Sequence, residues 1–164
     1  MSITVRPLAA ADAAAFRVLR LLGLEESPEA FGSSYAEEKD RSVESFAQSI
    51  ARGHITGGFD GDHLVAVAGF YAMAQEKAAH RGVLWGVYVH PDARRLGAAT
   101  AVLQAAIAHA RTCVLQLHLS VTTTGSALGL YRKLGFAIYG TEPRALRVGD
   151  RYLDEHLMVL RFDA

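Results

Sequence analysis

The order of apolar and polar positions predicts a chain that begins with one strand and continues mainly as helices. Residues 3–6 are typical of a short edge strand, which Pro7 ends. Apolar positions then recur at helical spacing, and Ser27 followed by a proline is a helix-start signal. The helices predicted in this N-terminal third cover residues 10–22, 28–31 and 42–52.

In the middle of the chain the pattern of apolar residues changes from that of helices to that of β-strands. Residues 55–59 and 64–73 are rich in apolar and β-branched side chains, and they flank an Asp-Gly-Asp turn. Residues 83–89 are apolar at nearly every position, which predicts a central strand. The alanine-rich stretch 95–111 has helical spacing and few charges, so we expect a buried helix. The remaining predictions are a strand at 114–121, a helix at 126–134 and strands at 137–140 and 152–162.

This order of elements indicates an α/β (α+β) fold, with a mixed central sheet of about six to seven strands flanked by helices. Residues 1–164 fall within the usual size of a single domain. Hydrophobic residues make up 51% of the chain and charged residues 21%, which fits neither a disordered protein nor a membrane span. We therefore expect one domain with one core.

The charges of the chain cancel, with 17 basic and 17 acidic residues. This balance argues against a broad nucleic-acid footprint and against a polybasic membrane anchor. The longest apolar run is shorter than the roughly 20 residues that cross a bilayer, and the first residues lack a signal-peptide pattern. The single cysteine, Cys113, fits a reducing compartment. We expect a cytoplasmic protein without nucleic-acid or membrane partners, in which any anion site is local.

The segment 87–100 carries the clearest candidate for such an anion site. A buried strand turns there through a proline into a helix whose first residues are Gly-Ala-Ala. The first N–H groups of a helix lack intrahelical partners and carry partial positive charge, so small side chains let a phosphate approach them. Arg94 and Arg95 add two cations at the same place. The alternative interpretation is a solvated, basic helix start.

Two motifs in this sequence resemble those of the GNAT superfamily of acyl-CoA-dependent N-acetyltransferases. Residues 94–99, Arg-Arg-Leu-Gly-Ala-Ala, match its Q/R-x-x-G-x-G/A loop. Residues 124–136 resemble its N-x-x-A-x-x-L-Y-x-x-x-G-F signature, with Thr124 in the asparagine position. Segments 26–32 and 154–158 are also similar to many bacterial members. The resemblance covers nearly the whole chain and implies a GNAT-like fold.

The resemblance implies a binding site for acetyl-CoA. Backbone groups of Val87 and Val89, on either side of Tyr88, would pair with the pantetheine arm as if the cofactor were an extra strand. The N–H near Val89 would stabilise the thioester oxygen, and Tyr131 would direct its phenol at the sulfur. The other residues implied are Arg94, Arg95, Leu96, Gly97, Ala98, Ala99 and Thr100 at the pyrophosphate, Thr124 and Ala127 along the arm, and Lys133 at a CoA phosphate.

The implied reaction is direct acetyl transfer from acetyl-CoA to a primary amine within a ternary complex. An amine with a pKa of about 10.4 is almost fully protonated at pH 7, so a base or a proton relay is needed. Some family members carry a glutamate on the strand at 84–89, and this sequence has none there. His80, just before that strand, is the first candidate, and Glu37, Glu38 and Tyr88 are alternatives that would act through water.

The acceptor is expected to be a small-molecule or peptide amine. Phe31, Tyr35 and Trp85 are candidates for the walls of its pocket, with a core role as the alternative. His109 and Cys113 are four residues apart, but a buried, inert thiol is favoured over a nucleophile. The histidines lack metal-ligand spacing, so no metal is expected. The alternative function is a non-catalytic acyl-CoA-binding or interaction module, and exposed sheet edges favour a homodimer.

Overall fold

A seven-stranded sheet with helices on both faces forms the fold, as a computed structural model that describes residues 2–163 shows. The strands are β1 (Ile3–Pro7), β2 (His54–Asp60), β3 (His63–Ala72), β4 (Arg81–Val89), β5 (Gln116–Thr122), β6 (Ala137–Val148) and β7 (Arg151–Arg161). The helices are α1 (Ala13–Glu26), α2 (Tyr35–Glu38), α3 (Val43–Arg52), α4 (Ala98–Arg111) and α5 (Leu128–Lys133).

The strand order is β1-β2-β3-β4-β5-β7-β6, and β4 and β5 form the parallel pair in this otherwise antiparallel sheet. The mixed α/β architecture and the strand number confirm the predicted fold class. The apolar stretch at 83–89 does lie in the centre, because β4 is the fourth strand across. The edges of the sheet are β1 and β6.

Two apolar clusters hold the helices against the sheet. Helices α1 and α3 cover one face, where Phe16 and Phe46 are 3% and 1% exposed and meet edge to face at 5.6 Å between ring centroids. Helix α4 covers the other face, and its buried Val102, Leu103 and Ala106 pack on the strands. This burial confirms the prediction of a buried, alanine-rich helix. The small side chains let α4 lie close to the sheet.

Several helix boundaries differ from those that the sequence predicts. Helix α1 extends to Glu26, and the Ser27 hydroxyl donates to the Glu26 carboxylate instead of capping a new helix. Residues 28–30 form only a 3-10 turn. Helix α4 begins at Ala98 because Arg95 and Gly97 have φ angles of 66° and 81°, which an α-helix cannot contain. Local periodicity does not reveal these backbone reversals.

Strand β6 and helix α2 also differ from what the sequence predicts. Strand β6 continues to Val148 instead of ending near residue 140, because β7 pairs with it as far as Arg151. The short helix α2 was not predicted, and it begins with a reciprocal cap in which the Ser34 side chain accepts the Glu37 N–H. A four-residue helix is too short to produce a periodic signal.

Cys113 is exposed, so the interpretation of a buried thiol is wrong. It follows the last turn of α4, where its Sγ atom lies 3.7 Å from the Nε2 atom of His109. The His109 ring stacks on His54 at 3.5 Å between centroids, and burial, followed by the nearby His109, lowers the pKa of His54. This cluster lies at the opposite end of α4 from the predicted anion site.

None of the helices described for residues 2–163 is long and apolar enough to cross a membrane. Within the same residues, no three His, Cys, Asp or Glu side chains come together in a way that suits a metal ion.

Candidate active site

The sheet opens between β4 and β5, and this gap positions the candidate site. The two strands pair only from Arg81 to Val83, opposite residues 116–118. A β-bulge follows in β4, where Gly86 and Val87 lie opposite the single residue Ala68 of β3. Gly86 has a φ of 64°, and a bulge of this kind bends its strand. The bend directs the end of β4 away from β5, so the backbone edge of β4 beyond Val83 has no partner strand on that side.

A groove of about 330 Å³ follows the open edge of β4. Its walls come from the end of β4, the start of α4, the turn after α1 and the start of α5. The lining residues are Ser27, Ala30, Val87, Tyr88, Val89, Arg94, Ala99, Leu103, Ser126, Ala127, Leu130 and Tyr131. The structure thus brings both sequence motifs to one groove, and it adds Ser126, which the sequence did not single out.

The N-terminus of α4 closes the outer end of this groove. A smaller cavity of about 180 Å³ lies there, and Val89, Arg94 and Ala99 line both cavities. The first helical hydrogen bond of α4 runs from the Ala101 N–H to the Gly97 carbonyl, so the N–H groups of residues 98–100 remain without helical acceptors. The helix start thus has N–H groups without helical acceptors where the motif predicts an anion site.

Gly97 is needed at this turn for its backbone conformation. A Cβ atom at this position would meet no atom within 4 Å, so close packing does not exclude a side chain. Its φ of 81° is the constraint, because L residues rarely adopt such values. Arg95 accepts a similar strained angle of 66° and lines the small cavity, whereas Leu96 is 46% exposed and lies outside the lining.

Arg94 is held by a network that the sequence did not predict. Its guanidinium donates to both oxygens of Glu26, at 3.0 and 2.9 Å, and its Nε donates to the Val89 carbonyl at 3.2 Å. The Tyr88 hydroxyl and the Ser27 hydroxyl also donate to Glu26, at 2.8 and 2.5 Å. The network ties the end of α1 to the turn between β4 and α4, and it gives Arg94 a positioning role.

The ionisation of Glu26 and Tyr88 follows from these contacts. Hydrogen bonds from Arg94 and then Ser27 lower the pKa of Glu26 to about 2, although burial opposes the shift. Burial, and then the hydrogen bond to Glu26, raise the pKa of Tyr88 to about 12. Tyr88 therefore stays protonated at neutral pH, so the structure does not support it as the base.

Replacing Glu26 with Gln is expected to destabilise the protein in a pH-dependent way. The pKa of Glu26 is lower in the folded state than its ordinary 4.5, so the stabilisation is complete above about pH 4.5 and is lost as the pH falls towards 2. Because the Glu26 side chain is 33% exposed, we expect at most about 1 kcal/mol, or about 2–4 °C in Tm. Thermal unfolding at pH 7 and pH 3.5 measures the effect.

The matched control is Glu25→Gln, next to Glu26 and likewise exposed. Its Tm relative to the wild type should change little between the two pH values. A Glu26→Gln difference that stays the same from pH 7 to pH 3.5 would contradict the role given to the Glu26 carboxylate.

Tyr131 lies at the inner end of the groove. Its side chain is 7% exposed, packs edge to face on Phe136 and lines both the 330 Å³ groove and a further cavity of about 100 Å³. Burial raises the pKa of Tyr131 to about 12, so the phenol carries its proton at neutral pH. Tyr131 therefore presents a protonated phenol to the cavities that it lines.

The cavity of about 100 Å³ lies at the gap between β4 and β5, where residues from α5 and from the turn after α1 both line it. Its lining is formed by Glu29, Ala30, Val87, Ser120, Val121, Thr122, Gly125, Ser126, Ala127, Tyr131 and Glu155. Glu155, on β7, was not predicted as a site residue, although the segment 154–158 that contains it resembles the family. Only the pairing of β7 with β5 brings this carboxylate to the gap.

A larger cavity of about 550 Å³ lies between the α1–α2 connection and the hairpin of β6 and β7. Phe31 and Tyr35, the candidates for acceptor-pocket walls, line it together with Glu25, Glu37 and Arg147. Phe31 is also a core residue, 7% exposed. The volume lies within the usual range for small-molecule sites, and the charged lining suits a polar ligand.

The structure does not bring every predicted residue to the site. His80 precedes β4, about 25 Å along the chain from Tyr88 and on the paired side of the gap. Trp85 packs over Gly69 and below Arg20, within the α1 core. Neither residue lines the cavities around the gap.

Glu38 is also unsuitable as the base. It is 6% exposed and ion-paired with Arg20 and Arg41, at 2.8 and 2.9 Å. Burial favours its neutral form, but hydrogen bonds from Arg20 and the charge of Arg41 outweigh this, and its pKa is lowered. Thr124 and Lys133 are exposed and lie outside the cavity linings, near the ends of the turn and helix that carry Ala127 and Tyr131.

The fold with its open sheet is the one found in several solved acetyltransferase structures. The structure resembles YncA of Salmonella typhimurium, described with its cofactor acetyl-CoA, with a TM-score of 0.88 and 19% identity over 100% of this chain and 96% of that one. It also resembles the acetyltransferase of GNAT family from Streptococcus pneumoniae, with a TM-score of 0.84 and 20% identity over 98% and 99% of the two chains. At these identities the likeness concerns the fold.

The chain belongs to the Acetyltransferase (GNAT) family, whose sequence profile matches residues 20–136. A curated relative, the L-methionine sulfoximine/L-methionine sulfone acetyltransferase of Pseudomonas paraeruginosa, is 38% identical over 79 residues. The alignment spans about half of each protein, 47% of this chain and 46% of that relative. The resemblance inferred from the two sequence motifs is confirmed at the level of the family.

Proposed function

We propose that this protein is an N-acetyltransferase that transfers the acetyl group of acetyl-CoA to a primary amine by direct attack, with both substrates bound. The observation that carries the proposal is the position of Tyr131, a protonated phenol that lines both the groove along β4 and the small cavity at the gap between β4 and β5. A proton donor in such a position can act on a leaving thiolate while an amine approaches from the other face.

The described residues offer groups that suit the chemistry of acetyl-CoA. The open edge of β4 beyond Val83 offers backbone groups to the pantetheine arm, and Val87 and Val89 line the groove there. The N–H groups at the start of α4 suit a pyrophosphate, with Arg95 beside them. Ala127 lines the groove on its far side. Lys133, at the exposed end of α5, is our proposed contact for a CoA phosphate.

Acetyl-CoA supplies an activated thioester whose carbonyl carbon accepts the amine. The backbone N–H near Val89 is proposed to stabilise the negative charge that develops on the carbonyl oxygen. Tyr131 is proposed to give its proton to the departing sulfur. Arg94, fixed by Glu26, holds the turn between β4 and α4 so that the helix N-terminus and the strand edge stay aligned.

The acceptor is proposed to be a small polar amine that reaches the gap from the 550 Å³ cavity. Phe31 and Tyr35 provide apolar walls, while Glu37 and Arg147 offer opposite charges within the same lining. A molecule with an ammonium group and a carboxylate suits that combination. L-methionine sulfone and L-methionine sulfoximine, the substrates named for the curated relative, have both groups and are the first acceptors to test.

We expect saturable binding of acetyl-CoA and release of free CoA in the presence of an accepted amine. Calorimetry measures the first, and a thiol assay measures the second across a panel of amino acids, L-methionine derivatives, polyamines, lysine and short peptides. Absence of binding heat at millimolar acetyl-CoA would refute the proposal. Tight binding without thiol release across the panel would favour the non-catalytic binding module instead.

A homodimer and a cytoplasmic location complete the proposal. The sheet has open edges at β1 and β6, where a second copy can add its own strands. Light scattering on a sizing column tests the assembly, and a mass near that of one 17.7 kDa chain would exclude the dimer. Fractionation of cells that produce the protein tests the location.

A further inference from the structure

Glu155 lies beside the position where an amine must meet the thioester. It lines the same small cavity as Tyr131 and Val87, the residues that border the gap from α5 and β4. Glu155 itself is half-buried on β7. A carboxylate, a phenol and an open strand edge thus face one space of about 100 Å³.

The side chains of Glu155 and Tyr131 lie on opposite faces of the sheet. Leu119 and its partner Met158 face α4 in the core, and side chains alternate along a strand. Thr122 lies three residues after Leu119 on β5, and Glu155 lies three residues before Met158 on β7. The pairing of the two strands has no shift over this stretch. Glu155 therefore lies on the α1 face, whereas Tyr131 approaches from the α4 face.

Three other carboxylates near the site already have hydrogen-bond or ion-pair partners. Glu26 is fixed by Arg94, and Glu37 accepts the Ser34 N–H at the start of α2. Glu29 shares the cavity with Glu155 but pairs with Arg151 at 3.0 Å. No ion pair is formed by Glu155 with any residue among 2–163.

The surroundings of Glu155 keep its carboxylate basic. Burial, and then the charge of Glu142 directly opposite on β6, raise the pKa of Glu155. The other titratable groups that face the same cavity are Tyr131 from α5 and Glu29 from the turn after α1, the latter with its partner Arg151. A carboxylate with a raised pKa is a better proton acceptor at neutral pH than an ordinary one.

We propose that Glu155 is the general base for this acetyl transfer, taking a proton from the acceptor ammonium group directly or through one water. The inference rests on the proposed function. The neutral amine then forms a C–N bond with the thioester carbon as the C–S bond breaks. The ammonium nitrogen begins with three protons. Glu155 takes the first and later releases it to solvent. The second goes to Tyr131, which has given its own proton to sulfur, and the third stays on the amide.

The experiment compares the wild type with Glu155→Gln, Glu155→Asp and Glu142→Gln across pH 5.5–10. L-methionine sulfone is the acceptor, unless the amine panel ranks another amine higher. At pH 7 we expect Glu155→Gln to lower kcat/KM about 100-fold. The loss should shrink at alkaline pH, where the amine loses its proton unaided. Glu155→Asp should restore part of the rate, and acetyl-CoA affinity by calorimetry should stay unchanged in all variants.

Glu142→Gln provides an independent test that leaves Glu155 in place. Removing the opposing charge should lower the pKa of Glu155, so the acidic limb of the pH profile should move to lower pH while the plateau remains. An unmoved limb overturns the inference, even if Glu155→Gln does not fold. The inference is also overturned if Glu155→Gln keeps the acidic limb of the wild type, or if its loss of kcat/KM comes from weaker acetyl-CoA binding. A wild type that transfers no acetyl group refutes the proposed function itself, which is a distinguishable result.

Discussion

Tyr131→Phe is expected to lower kcat about 100-fold while leaving the affinity for acetyl-CoA within about twofold. Burial holds the pKa of Tyr131 at about 12, so the phenol is the protonated form throughout the working range of pH. Protonation of a departing thiolate matters only as the C–S bond breaks. The loss should therefore appear in kcat and not in ground-state binding.

The phenylalanine keeps the aromatic ring and, with it, the edge-to-face contact with Phe136. Tyr71→Phe is the matched control, because Tyr71 is 45% exposed on β3 and lies outside the groove. Steady-state kinetics and calorimetry on the three proteins decide the matter. If Tyr131→Phe turns over at the wild-type rate, the phenol has no part in the proton transfer.

Ala99→Glu is expected to weaken acetyl-CoA binding by at least about 100-fold, which is about 2.8 kcal/mol. Ala99 lines both the groove and the small cavity at the start of α4, so a longer side chain there obstructs the path between them. Its carboxylate also competes with a pyrophosphate for the N–H groups of the first turn. Titration calorimetry with acetyl-CoA measures the loss.

This substitution should not unfold the protein, because a negative charge in the first turn of a helix is favourable. We expect a Tm equal to that of the wild type or slightly above it. Ala108→Glu places the same side chain on the exposed face of the same helix and should bind acetyl-CoA normally. Normal binding by Ala99→Glu would show that the cofactor does not pass the start of α4.

The parts of the site that depend on the local backbone could be predicted from the sequence. The small residues at positions 97–99 predict a helix start with accessible N–H groups, while the positive φ of Gly97 is seen only in the structure. Tyr131 sits at a fixed place in a recognisable motif. These features are encoded within about a dozen neighbouring residues, so short-range patterns suffice to identify them.

The partners of these residues could not be predicted in the same way. Arg94 was expected to serve a pyrophosphate, yet its guanidinium is bound to Glu26, 68 positions earlier in the chain. His80 precedes the site strand in sequence but lies at the strand's opposite end. Cys113 follows an apolar helix and is nevertheless exposed. Proximity along a chain does not determine which end of an element faces a site, or which side chains meet there.

The sequence by itself determined the order of the strands along the chain, the buried helix α4, the family and the small residues at the start of α4, because periodicity and turn chemistry act over a few residues. The tertiary structure decided the rest. A bulge at Gly86 parts β4 from β5, and the pairing of β7 with β5 carries Glu155 to the opening that Tyr131 enters from the other face. Strand order and register are settled by the packing of the whole sheet, so the site that spans the gap exists only once that sheet has formed.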